Sequence, residues 1–121
     1  MSEINTAKLQ FKDALIAEGI DIKEYVPERV IPPVVLMQGG GTYITPESLS
    51  KEYTVGITLT MISATAMNEM STEKLDELIE QTIKALPAYA RMVRVAKPYS
   101  VAVNNTEYLS ADMELELSIT I

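Results

Sequence analysis

The stretch Met113–Ile121 constrains the fold more than any other segment of the chain. Met113, Leu115, Leu117, Ile119 and Ile121 alternate with Glu114, Glu116, Ser118 and Thr120. Successive side chains of a strand face opposite sides, so the segment reads as a half-buried strand with one apolar and one wet face. The chain ends there on an apolar residue, with no charged tail to blunt the strand. A free outer row of backbone donors and acceptors on such a strand attracts other strands. The sequence therefore reads as a part to be assembled with copies of itself or with neighbours.

A second strand is written in the same way over Tyr53–Ser63, where Tyr53, Val55, Ile57, Leu59 and Met61 alternate with Thr54, Gly56, Thr58 and Thr60. A shorter apolar run, Val34–Gln38, predicts a strand that gives way to a flexible loop at Gly39-Gly40-Gly41. Arg91–Lys97 predicts another, with Val93 and Val95 inward and Pro98 as its interruption. Asn104-Asn105 marks a turn before the closing strand Ala111–Ile121. From about Asn5 to Glu18 the period is helical, with Ala7, Phe11, Ala14 and Leu15 on one stripe and Gly19 as the stop. A second helix carries Leu75, Leu78, Ile79, Ile83 and Leu86 on one face, capped by Ser71 or Thr72 and ended by Pro87. Between these elements, Pro27 and Pro32-Pro33 exclude regular structure from Ile20–Pro33.

The expected order is helix, strand, strand, helix, strand, strand. One apolar stripe per helix and one apolar face per long strand predict an α+β domain over residues 1–121. Its mostly antiparallel four-stranded sheet carries both helices on one face. The other face is expected to be lined by Thr54, Thr58, Thr60, Glu114, Glu116 and Thr120.

Composition narrows the function. The net charge is −7, from 17 acidic and 10 basic residues. Gripping a phosphate backbone needs the opposite balance, so specific nucleic-acid binding is disfavoured. An acidic surface instead lets DNA pass without sticking. Histidine and cysteine are both absent, which removes the usual members of nucleophilic and transition-metal sites. No stretch approaches the roughly 20 apolar residues of a membrane span. Met1–Gln10 lacks the pattern of a signal peptide, so Asn104-Asn105-Thr106 reads as a turn and not as a glycosylation site.

Three features invite a chemical reading. Glu114 and Glu116 share a strand face about 7 Å apart by strand rise, as an acid and base pair would need, but solvated surface glutamates have the same spacing. Gly39-Gly40-Gly41-Thr42 follows a strand as a phosphate loop does, yet the lysine is missing and Tyr43-Ile44-Thr45-Pro46 looks extended. Arg91, Arg94 and Lys97 form a short basic stripe. Met67, Met70, Tyr25, Tyr43 and Tyr99 fall outside the regular elements, where such side chains suit protein contacts or cap a small core. No cofactor or metal is expected.

Several features together resemble the tail terminator (tail-completion) proteins of long-tailed bacteriophages and the related neck proteins. They are an opening helix, Ile22-x-x-Tyr25-x-Pro27 leading to Pro32-Pro33-Val34-Val35, a Gly-rich turn with Tyr43, and a long alternating strand. The Leu75–Leu86 helix ending at Pro87, the Val93/Val95 strand and Tyr108-Leu109-Ser110-Ala111 complete the likeness, which covers nearly the whole chain.

The resemblance implies a structural virion protein and not an enzyme, assembled in the host cytoplasm. Its subunits would form a hexameric ring at the head-proximal end of the tail tube. The ring ends tube polymerisation and joins the tail to the head connector or stopper, while DNA passes through without specific binding. Contacts are then expected at Gly39, Gly40, Gly41, Thr42, Tyr43, Met67, Met70 and Tyr99. Asp112, Glu114 and Glu116, or the acidic helix faces, are expected near the passage. The alternatives are a connector or stopper subunit of the neck, or a small cytoplasmic enzyme or ligand-binding domain using the Gly39–Tyr43 loop.

Overall fold

The computed structural model describes residues 2–24, 30–47, 51–64, 69–103 and 105–121. The fold is α+β, with two helices and a six-stranded mixed sheet. Helix α1 spans Glu3–Ala17. It starts slightly before the expected Asn5 because Ser2 caps it, its Oγ accepting from the Asn5 amide at 3.0 Å. At the other end Gly19 takes φ +87°, and the Gly19 and Ile20 amides donate back to the Ile16 and Leu15 carbonyls. That is a Schellman closure, which a glycine enters without a Cβ clash.

The sheet is wider than the expected four strands. A two-residue strand β1 (Ile22–Lys23) lies parallel to β2 (Val34–Pro46). Strand β3 (Glu52–Ala64) pairs antiparallel with β2 and with β6 (Thr106–Thr120). On the far side of β6 lie β4 (Ala90–Val95) and β5 (Tyr99–Val103), both antiparallel to it. These two are successive pieces of one edge. The Ala96 amide still donates to the Asp112 carbonyl at 2.8 Å, and Pro98 then supplies no donor. Asn105, at φ +66°, turns the chain just before Thr106, which pairs with Val103.

The alternating segment that closes the chain is therefore not an outer strand. β6 is interior, with β3 on one side and β4 and β5 on the other, so its backbone rows are occupied. Its alternation reports one dry and one wet face and carries no information about which strands lie beside it.

Helix α2 (Glu69–Ala85) begins ahead of Ser71 and Thr72, which lie in its first turn. Its buried stripe is Ser71, Leu75, Leu78, Thr82 and Ala85. Ile83, expected in that stripe, is exposed; Thr82 takes the inward place by donating its hydroxyl to the Leu78 carbonyl at 2.8 Å. Both helices pack on the same side of the sheet. Phe11 and Leu15 of α1 and Leu75 and Leu78 of α2 close over Val35, Met37, Val55, Ile57, Leu59, Met61, Met113, Leu115 and Leu117. Each large side chain buried there contributes about 1.5–3 kcal/mol before chain entropy is subtracted.

The opposite side departs from the expected all-polar face. At one end Val30, Val34, Leu36, Ile62 and Tyr108 form a second apolar cluster, with Val101 and Val103 of β5 against it. Thr54 and Thr60, expected on a wet face, are buried.

Candidate functional site

The helix-free face and the two margins of the sheet hold most of the residues singled out from the sequence. Asp112, Glu114 and Glu116 alternate along β6 and point to the helix-free side, and each has a partner. The Thr60 hydroxyl and the Tyr99 phenol both donate to Asp112 Oδ1, at 2.8 and 2.9 Å. Arg94 donates through Nε and Nη2 to the two oxygens of Glu114, at 2.9 and 3.3 Å. Arg91 Nη1 donates to Glu116 at 3.2 Å. The row expected to be an acidic stripe is thus charge-balanced at two of its three carboxylates, Glu114 and Glu116. The basic stripe read from Arg91 and Arg94 is the other half of the same arrangement. Burial raises the Tyr99 phenol above its ordinary pKa, and the hydrogen bond to Asp112 and the charge of that carboxylate raise it further.

The Gly39-Gly40-Gly41 segment is not a loop after a strand, as expected, but part of β2. Gly39 pairs with Ile57 and Ile44 with Val55, so Gly40–Tyr43 bulges opposite Gly56. Such an insertion needs a close approach of backbones. A Cβ on Gly56 would collide with the Thr42 carbonyl oxygen. The Tyr43 ring turns back over Gly39, and its hydroxyl accepts from Lys8 Nζ at 3.1 Å. Tyr43 thereby ties the bulge to α1.

Two hollows open on the helix-free face. One, of about 290 Å³, runs from Gly40–Thr42 across Thr54 and Thr58 to Glu114 and Glu116. The other, of about 470 Å³, lies between Gln38, Thr58, Thr60, Asp112 and the β5 residues Tyr99–Val103. Among the described residues no group of three or more carboxylates is placed to hold a metal ion.

Exposed apolar side chains lie on both helices, at Ile31 and along the margins of the sheet. Val93, expected inward, is 47% exposed. The register of β4 against β6 slips between Met92 and Arg94, which makes Val93 the extra residue of a bulge. Tyr89 (50% exposed), just before the outermost strand, and Met92 (40%), on its helix side, are exposed as well. The same bulge sets Arg91 and Arg94 on one face at a spacing of three, which a regular strand cannot give. The sequence does not single out Tyr89 and Met92, which sit beside and in a segment that reads as half buried. Met70 is not in a connection, as expected, but in the first turn of α2, where it is 65% exposed. Met67 and Tyr25 lie outside the described residues.

No protein-family model matches the chain, and comparison with curated proteins finds no match.

Proposed function

We propose that the protein is a structural subunit of a phage neck. In this reading it is a tail terminator that forms a ring at the head-proximal end of the tail tube. It ends tube polymerisation and joins the tail to the head connector or stopper, with DNA passing through. The sequence resemblance described above supports this reading. The observation that carries it is that a sheet with a finished core on one face keeps both margins open, one of them lined by Tyr89, Met92 and Val93. Exposed aromatic and methionine side chains beside a free strand edge suit burial against another protein.

The acidic surface that keeps DNA moving is, in this reading, that of α2, which carries five carboxylates against two lysines. Glu114 and Glu116 contribute less, because Arg94 and Arg91 balance them. The test is sedimentation with negative-stain imaging, alone and mixed with the tail-tube protein of the same genome. Rings seated at tube ends, with tubes of fixed length, are the expected result. A monomer that ignores tubes and binds a small molecule in the hollow beside Tyr99 and Asp112 would overturn the proposal.

A further inference from the structure

We infer that the two open margins are the two halves of one copy-to-copy contact, in which β4 of one copy adds antiparallel to the outer edge of β2 in the next. The inference rests on the ring reading for its setting in a virion, while the pairing itself is a property of this chain.

Strand direction permits it. β2 and β6 run one way and β3 and β4 the other. A second copy set beside the first in the same orientation presents its β2 to a β4 of opposite direction, so antiparallel alternation continues across the joint. Both edges are free for it. β1 pairs only with Val35 and Leu36, and from Met37 to Pro46 the outer side of β2 has no strand partner among the described residues. The outer side of β4 has none either. Edges are commonly guarded by charge, yet Gln38–Pro46 contains no charged residue.

Side chains decide which edges meet. If β4 paired with β4 of a second copy about a two-fold centred on Met92 and Val93, Arg91 of each copy would oppose Arg94 of the other. Like charges directly opposite are destabilising. If β2 paired with β2, the Gly40–Tyr43 bulge would interrupt both ladders. The mixed contact sets no arginine opposite another, and the β2 bulge enters its ladder once instead of twice. Arg91 and Arg94 remain largely exposed despite their glutamate partners, and they would face an uncharged edge with Glu47 directly after it. Met92 pairs across from Leu115 and Ile44 from Val55, so both lie on the helix side of the sheet. Joining the edges would extend one apolar face across the boundary. Such a head-to-tail contact closes into a ring or runs on as a filament, but does not stop at two copies.

The chain has no cysteine, so engineered thiols report cleanly. Val93→Cys is mixed with Gln38→Cys, and separately with Thr45→Cys, which like Val93 line the hollows of the helix-free face, at high protein concentration with a short bis-maleimide. All three positions are exposed. Melting curves check that each variant is folded, and Met92→Cys mixed with Ile44→Cys, both on the helix side, replaces the Val93→Cys mixtures if that variant is not. The expected result is a cross-linked dimer in at least one mixture and in none of the single variants, with the corresponding double variant giving a ladder. A dimer from Met92→Cys or Val93→Cys alone would mean two-fold pairing and overturn the inference, as would no cross-link in any mixture. The two proposals fail separately: a ladder without rings on tubes removes the virion role and keeps the contact. Rings on tubes without the cross-link keep the role and remove the contact.

Discussion

Gly56 and Tyr99 show how single residues hold the helix-free face together. Alanine in place of a strand glycine ordinarily stabilises by about 0.5–1 kcal/mol. At Gly56 the Thr42 carbonyl occupies the space that the new Cβ would need. We expect Gly56→Ala to reverse the usual sign and destabilise by about 1–3 kcal/mol, the range for forced overpacking, read as a lower urea midpoint. Tyr99 makes a prediction about pH. Its phenol has a raised pKa in the folded protein, so the folded state holds that proton more tightly than the unfolded chain. Its contribution is fully present below the ordinary tyrosine pKa of 10.0 and is lost as pH rises through the higher folded value. Melting temperature should therefore fall more steeply above pH 10 in the natural protein than in Tyr99→Phe. Equal slopes would show that the phenol is not coupled to folding. Arg94→Ala, by contrast, removes an exposed pair and should leave the urea midpoint almost unmoved.

At the scale of elements, α1 is anchored through few large side chains. Phe11 and Leu15 are its buried residues, and Leu9 and Ile16, seven apart on the same helix, are exposed. Phe11→Ala should cost about 3–5 kcal/mol in denaturant titration, and Leu9→Ala should cost little. Comparable losses at both positions would mean that α1 buries a different face. The β4–β5 edge has a different logic. Its interruption at Pro98 and its bulge at Val93 let one strand-length segment follow the twist of a long central strand. The same bulge turns Val93 outward, which converts a residue of core character into surface available for contact.

For the whole molecule, stability should be graded from the sheet centre to its margins. β3 and β6 pair along almost their full lengths and lie between other strands, whereas β1 has two residues and the outer row of β4 has no strand partner among the described residues. Hydrogen exchange should be slowest at Val55–Met61 and Ala111–Leu117, and fast in β1 and β4 of the isolated chain. On assembly through the margins, protection should rise in β4 and in the second half of β2. Protection gained only on the helices would point to a different contact surface.

The amino-acid sequence by itself determined the class of fold and the inward face of nearly every long element. Apolar periodicity of two over Tyr53–Ser63 and Met113–Ile121, and of three to four along both helices, is a local property that burial reads directly. It also contained the helix stop at Gly19 and the turn at Asn105, because positive φ leaves few residue choices. Tertiary structure decided what periodicity cannot encode: which strand neighbours which. Whether β6 lay at the edge or in the interior depended on β4 and β5 returning to its far side. The glycines of β2 became a bulge only because Gly56 lay opposite them. The acidic row on β6 and the basic pair on β4 were each visible as charge. Only strand register set Arg94 on Glu114 and Arg91 on Glu116, since pairing in a sheet joins residues far apart in the chain.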